Sequence, residues 1–151
     1  MYFVKTLWYG IKDRCYNINS KNYLKYGLRG IKMNEDWILN YHSFAAYVSS
    51  LPNFGKKDYT LDRINNNDNY DIGNLRWATI HIQNSNQRKQ KNNTSGFVGV
   101  GWIEKRNRWQ AKISINKKMI YLGFYLSKEE AYQARKNFIL KNNHTEYLAS
   151  L

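Results

Sequence analysis

The chain of 151 residues is short of several residue types, and each shortage excludes a class of protein. Its single cysteine, Cys15, can form neither an intramolecular disulfide nor a cysteine-rich zinc site, so a bound metal would need oxygen or nitrogen ligands. No apolar run reaches the length of a membrane-spanning helix, and the N-terminal residues lack a signal-peptide pattern. We therefore expect an intracellular protein with no membrane-embedded part.

Acidic residues are also scarce. The chain has 11 Asp and Glu against 24 Lys and Arg, which gives a formal net charge of +13. These positive charges repel one another in a compact fold, so a polyanionic partner that neutralises them is favoured. Aromatic residues make up 16 % of the chain, which excludes a disordered basic tail and suits stacking on nucleic acid. Nucleic acid is the first candidate partner, an anionic membrane surface is the second, and a basic globular protein without either is the alternative.

The first half of the chain shows apolar residues at helical spacing from Asp36 to Leu51, which predicts a helix that ends before Pro52. Upstream, Gly27 and Gly30 indicate a turn that leads into a short extended segment.

A strand, a loop, a second strand and a helix are predicted next. Residues 59–64 and 74–78 have the character of strands, and the Asn-rich residues 65–69 between them favour turn conformations. Thr79 is a plausible N-cap for a polar helix that runs to about Lys89.

The second half predicts three antiparallel strands packed on one helix. Residues 108–115 alternate between apolar and polar side chains, a hairpin connection follows at 116–118, and strands are also predicted at 97–102 and 119–125. A capping box at Ser127 and Glu130 opens a helix to about Lys141. Three aromatic residues are expected in its core: Trp109, Phe124 and Phe138. The predicted fold class is therefore α+β.

Three side chains in the first half carry oxygen atoms suited to a hard cation. Asp62 offers a carboxylate near a strand end, and Gln83 and Asn86 lie one turn apart on one helical face. So few protein ligands would leave positions for water and a phosphate oxygen, as Mg²⁺ prefers. The spacing alone leaves a purely structural Asp62 as the alternative.

The first half, over roughly residues 14–90, resembles HNH endonucleases of the phage and homing type. The resemblance rests on residues 61–64 (Leu-Asp-Arg-Ile), the Asn-rich loop, Tyr70, residues 74–79 (Asn-Leu-Arg-Trp-Ala-Thr), Gln83 and Asn86, with residues 26–31 and Trp37 in support. It implies a ββα-metal fold in a nuclease domain at 1–88, and cleavage of DNA with a divalent metal, Mg²⁺ or Mn²⁺.

The same resemblance implies the catalytic roles. Asp62 would be the first metal ligand, Gln83 or Asn86 the helical ligand, and Asn74 the brace of the loop between the strands. Arg63 stands where the general-base histidine is expected. A guanidinium stays protonated, so it would contact phosphate instead of accepting a proton. The base would then come from elsewhere, or cleavage would be slow or lost; the candidate bases are His81, His42, Tyr70 and Tyr26.

The second half, over roughly residues 94–143, resembles an AP2 domain. The matching motifs are residues 96–100 (Gly-Phe-Val-Gly-Val), 109–113 (Trp-Gln-Ala-Lys-Ile), 122–124 (Leu-Gly-Phe) and 129–134 (Glu-Glu-Ala-Tyr-Gln-Ala). The resemblance implies a DNA-binding domain at 96–151, joined through a linker at 89–95, whose sheet lies in the major groove.

Polar side chains that can contact bases and phosphates cluster in this second half. The predicted DNA-binding residues are Trp102, Lys105, Arg106, Arg108, Gln110, Lys112, Lys117 and Lys118, with Arg76 and Arg88 in the first half. A solvated basic sheet face without a partner is the alternative interpretation.

Together these features predict a DNA endonuclease that acts on double-stranded DNA as a monomer or a homodimer. A catalytically inactive DNA-binding regulator derived from such a nuclease is the first alternative, because a histidine is missing at the base position. An RNA-binding protein is the second, since charge and aromatic content suit RNA equally well.

Overall fold

A computed structural model describes residues 2–86 and 93–150 and divides the chain into two compact units, Met1–Thr79 and Ile80–Leu151. The two units together confirm the predicted α+β class. The division places residues 80–88 with the second unit, whereas the predicted nuclease domain extends to residue 88. Arg88 and most of the predicted linker lie outside the described residues. Among the described residues, no helix is both long and apolar enough to cross a membrane.

The first unit consists of three helices and a two-stranded antiparallel sheet. Its elements are α1 Tyr2–Tyr16, α2 Glu35–Leu39, α3 Tyr41–Ser50, β1 Tyr59–Arg63 and β2 Leu75–Thr79, with short 3-10 turns at Tyr23–Lys25 and Gly27–Arg29. Helix α1 was not predicted. Its buried residues recur at helical spacing, and they are Val4, Trp8, Ile11 and Cys15.

The prediction of one helix from Asp36 to Leu51 is wrong in one respect, because the helix is interrupted at Asn40. Asn40 has an extended backbone conformation, and its side chain accepts hydrogen bonds from the backbone N–H groups of His42 and Ser43 at 3.0 and 3.2 Å. It therefore caps α3 at the point where α2 ends. The bend allows Trp37 and Phe44 to pack together in the core, with their ring centroids 5.6 Å apart.

Strands β1 and β2 confirm the two strands predicted on either side of the Asn-rich loop. They pair in register from Tyr59 opposite Thr79 to Arg63 opposite Leu75. Thr79, the predicted N-cap, is the last residue of β2 and directly precedes the helix that begins at Ile80. The short extended segment predicted upstream is also present, because Met33 forms a parallel bridge with Tyr70 at the end of the loop.

The second unit contains the predicted three-stranded antiparallel sheet with a helix packed on it. Its elements are α4 Ile80–Ser85, β3 Val100–Ile103, β4 Arg108–Ile115, β5 Lys118–Tyr125 and α5 Lys128–Lys141, and the strand order is β3-β4-β5. The predicted capping box is present, with Ser127 accepting from the backbone of Glu130 and Glu130 bonding back to the cap. Asn116 and Lys117 both have positive φ, which is typical of the tight turn of a two-residue hairpin.

The predicted burial of Phe124 is wrong, because β5 contains a β-bulge. Ala111 pairs with Gly123 while the next residue of β4, Lys112, pairs with Tyr121, so Leu122 is an extra residue on β5. One inserted residue exchanges the two faces of a strand from that point onward. Phe124 is consequently 40 % exposed on the face away from α5. The other two predicted core residues, Trp109 and Phe138, are partly buried and pack on the core.

Candidate nucleic-acid interface

The hairpin loop of the first unit is braced by Asn74, the residue to which the family resemblance assigns this role. The Asn74 carboxamide oxygen accepts from the backbone N–H of Asn65 at 2.8 Å. Its nitrogen donates to the carbonyls of Asn65 and Asn69 at 3.2 and 2.8 Å. One side chain thus closes both ends of the Asn-rich loop.

Asp62, the predicted metal ligand, forms an ion pair with its neighbour on β2. The register places Asp62 directly opposite Arg76, and the Arg76 Nε and Nη2 atoms each lie 3.2 Å from Asp62 Oδ2. The two side chains are 12 % and 19 % exposed, so little water screens the pair. Arg76, which is predicted to bind DNA, is the residue that pairs with this carboxylate.

Arg63, predicted to contact phosphate, is a buried structural residue in the first unit. It is only 4 % exposed, and its Nη1 donates to the carbonyl oxygen of Asp68 at 2.6 Å. Its guanidinium carbon lies 5.1 Å from the ring centroid of Tyr26 and 4.7 Å from that of Tyr70. Arg63 therefore stabilises the Asn-rich loop through its hydrogen bond to Asp68 and makes cation–π contacts with Tyr26 and Tyr70.

Tyr70 does not suit the role of general base at neutral pH. It is 5 % exposed, and burial raises the pKa of its hydroxyl to about 12 against the opposing effect of Arg14 and Arg63. Arg14 Nη1 also donates to the Tyr70 oxygen at 3.2 Å. Of the other three candidates, Tyr26 and His81 are half-buried, and His42 is exposed at the start of α3.

The two predicted helical ligands, Gln83 and Asn86, belong to the second unit. Asn86, which directly follows α4, is 5 % exposed, and Ile82 within α4 packs on an apolar cluster that includes residues of β4 and α5. In the first unit, the only predicted ligand is thus Asp62, and its Oδ2 already accepts two bonds from Arg76. No group of three His, Cys, Asp or Glu suited to a metal occurs among the described residues. In this closed arrangement, the Asp62 carboxylate is occupied by Arg76, and it becomes available to a cation only if the ion pair opens.

The second unit presents a polar and aromatic sheet face on the side opposite α5, which we call the open face. In β4 the buried residues Ala111 and Ile113 alternate with positions that point the other way. The register extends this open face to the neighbouring strands, so that its residues are Gly101, Ile103, Arg108, Gln110, Lys112, Ser114, Met119, Tyr121 and Phe124. Three residues predicted to bind DNA, Arg108, Gln110 and Lys112, therefore share one surface.

Residues at the two turns that connect the strands add cations at two ends of this sheet. Lys105 and Arg106 lie in the 3-10 turn Glu104–Arg106 between β3 and β4, and Lys117 and Lys118 lie at the β4–β5 hairpin. All four are exposed.

Trp102, also predicted to bind DNA, does not lie on the open face. Its register partner is Trp109, with ring centroids 5.2 Å apart, so it lies toward the α5 side although it is 42 % exposed.

The sequence analysis missed two large side chains of the open face, Tyr121 and Phe124, which are 67 % and 40 % exposed. The guanidinium of Arg106 lies 4.5 Å above the Phe124 ring. A signal was present in the sequence, because Gly123 interrupts an alternating strand and glycine at such a place favours a bulge. Gly123 has φ of 126° at the irregular step.

Comparison with protein-family models, with curated proteins and with solved structures gives no match to this chain, so its function has to be inferred from the geometry of its two units.

Proposed function

We propose that the chain binds double-stranded DNA through the open face of its second unit. The observation that carries the proposal is the composition of that face. Arginine, lysine and glutamine side chains stand beside two exposed aromatic rings, and no residue of β3, β4 or β5 is acidic. Such a surface supplies both phosphate contacts and contacts to base edges.

The distribution of charge along the chain supports the same surface. Residues 80–151 contain thirteen Lys and Arg against four Glu, a net charge of +9 out of +13 for the whole chain. Attraction to the phosphate backbone therefore falls mainly on the unit that carries the open face. The major groove of B-form DNA admits a two-stranded antiparallel ribbon, and β4 forms such a ribbon with either neighbouring strand.

A binding assay with full-length protein and a fluorescent mixed-sequence DNA duplex, in EDTA, tests this proposal. We expect the double variant Arg108→Ala/Lys112→Ala to bind about a hundredfold more weakly, since each of the two lost charged contacts contributes on the order of 1.5 kcal/mol, or about tenfold in affinity. Lys141→Ala, which removes a cation from the end of α5, should bind nearly as the wild type does. Equal losses in the two proteins, or no binding at all, would reject the open face as the interface.

An A-form RNA duplex serves as the competitor in the same assay. Its deep and narrow major groove does not admit a sheet, so we expect it to displace the DNA poorly. Equal displacement by RNA would favour the RNA-binding alternative.

As a second function, we propose that the chain cleaves DNA in the manner of the nucleases that its first half resembles. The specific observation in favour is the hairpin itself, in which Asn74 braces the loop and Asp62 lies on the preceding strand. The pairing of Asp62 with Arg76 is an obstacle, because that ion pair has to open before the carboxylate is available.

Relaxation of supercoiled plasmid, with Mg²⁺, Mn²⁺ or EDTA, tests cleavage. If the proposal holds, the wild type nicks only with the metal, Asp62→Ala does not nick, and Asp36→Ala, which removes an exposed carboxylate from α2, retains activity. Absence of nicking by a wild-type protein that binds the same plasmid would leave the inactive DNA-binding regulator as the function.

A further inference from the structure

Three residues form a row across the middle of the open face. Gln110 on β4 pairs with Gly101 on β3 and with Phe124 on β5. Paired residues in adjacent antiparallel strands share a face and lie about 5 Å apart. The row therefore places one carboxamide between a residue without a side chain and an aromatic ring.

The Gln110 carboxamide is available to a partner outside the protein. Within the described part of the chain it forms no hydrogen bond, although glutamine offers two donors and an acceptor. A methyl group added at Gly101 would meet no atom within 4 Å, so the β3 side of Gln110 is open space. A bound molecule can approach the carboxamide closely from that side.

The Phe124 ring is held in place on this face. The bulge at Leu122 turns Phe124 away from the core, and the guanidinium of Arg106 lies over one side of the ring at 4.5 Å. The ring remains 40 % exposed, which is an unfavourable position for an apolar side chain without a partner. An apolar group of a ligand that covers the ring would therefore be favoured.

The two side chains match the two halves of one kind of base pair. Glutamine forms two hydrogen bonds with the N6 and N7 atoms of adenine in the major groove, and a phenylalanine ring contacts the 5-methyl group of thymine. We propose that Gln110 and Phe124 read A·T base pairs, with Gln110 on adenine and Phe124 on the thymine methyl. This inference rests on the proposed binding of duplex DNA by the open face.

The test compares three duplexes by fluorescence anisotropy with the full-length protein in EDTA. They are an alternating A·T duplex, the same duplex with deoxyuridine in place of thymidine, and an alternating G·C duplex. We expect the wild type to prefer A·T over G·C about fivefold or more. Loss of the thymine methyl should weaken binding about fourfold, the equivalent of one buried methylene-sized group.

The variants assign each preference to its side chain. Phe124→Ala should bind the thymidine and deoxyuridine duplexes equally, and Gln110→Ala should lose the preference for the deoxyuridine duplex over the G·C duplex. The control Lys105→Ala removes an exposed cation beside Arg106 and should weaken binding to all three duplexes by the same factor. Because the comparison of thymidine with deoxyuridine uses the wild type, the test does not depend on the folding of any variant.

Each outcome decides between the two proposals. Binding of all three duplexes with equal affinity would overturn the A·T inference and leave DNA binding standing. Absence of binding to any duplex would overturn both. A methyl preference that persists in Phe124→Ala would show that another side chain reads the methyl group, and would likewise reject the assignment.

Discussion

At the scale of single residues, the Asn74 side chain holds the conformation of the loop between β1 and β2. The three hydrogen bonds of Asn74 replace contacts that the Asn65 and Asn69 backbone would otherwise make with water. An Asn at this position is needed because the site requires one acceptor and two donors, and Asp supplies no donor when ionised.

We expect Asn74→Ala to lower the free energy of unfolding of the first unit by about 1 to 2 kcal/mol, since each partly exposed hydrogen bond contributes a fraction of that amount. Urea denaturation followed by tryptophan fluorescence measures the change. Asn22→Ala is the matched control, because Asn22 is exposed in a helical conformation and its side chain caps nothing. If both variants lose the same stability, the loop is not braced by Asn74.

Burial of Tyr70 gives the first unit a dependence on alkaline pH. Its pKa rises from an ordinary value of 10 to about 12 in the folded state. The folded chain therefore holds the phenolic proton more tightly than the unfolded chain. This stabilisation is complete below pH 10 and is lost as the pH rises through 12, by an amount on the order of 2 to 3 kcal/mol.

Tyr70→Phe removes the titrating hydroxyl while it keeps the ring between Arg14 and Arg63. We expect the stability of this variant to fall less steeply than that of the wild type between pH 10 and pH 12. Urea midpoints measured across that range give the two slopes. Parallel curves would contradict the assignment of alkaline sensitivity to Tyr70.

At the scale of elements, two local interruptions shape the fold. Asn40 divides one amphipathic segment into α2 and α3, and Leu122 adds a bulge to β5. The first lets Trp37 pack on Phe44, and the second moves Phe124 to the open face. Asn40 interrupts an apolar pattern with helical spacing, and Leu122 interrupts an alternating strand pattern. On either side of each interruption, the pattern predicts the correct type of element.

We expect Asn40→Ala to destabilise the first unit by about 1 kcal/mol, because two N–H groups at the start of α3 lose their acceptor. Asn40→Asp keeps a capping oxygen and should retain most of the stability. Thermal denaturation of the two variants and the wild type measures this difference. Equal midpoints for Ala and Asp would show that the cap contributes nothing.

At the scale of the whole molecule, excess positive charge makes DNA binding sensitive to salt. Each phosphate contact that a cation makes releases counterions, and it contributes about 0.9 to the slope of log affinity against log salt concentration. The net charge of +13, most of it in the second unit, predicts a steep slope.

Lys105→Ala should lower that slope by about one, because it removes one exposed cation at the edge of the open face. Gln110→Ala should leave the slope unchanged, since a neutral carboxamide releases no counterion. Anisotropy titrations at several salt concentrations measure both. A slope altered by Gln110→Ala and not by Lys105→Ala would reverse the roles assigned to these residues.

Elements with local signals in the sequence can be predicted without the fold. Alternation predicted β4, a capping box predicted α5, and a cluster of Asn predicted the loop between β1 and β2, because each pattern reflects bonds within a few residues. The bracing role of Asn74 followed from the family resemblance, and the register then placed three predicted residues of the open face together.

Tertiary structure alone decided which side chains face each other. The pairing of Asp62 with Arg76 depends on the register of two strands separated by a loop. The burial of Arg63 depends on Tyr70 at the far end of the same loop and on Tyr26 from a distant segment. The exposure of Phe124 depends on one unpaired residue opposite β4. These features arise because the partner of a side chain is selected by packing between segments far apart in the chain, which local periodicity does not encode.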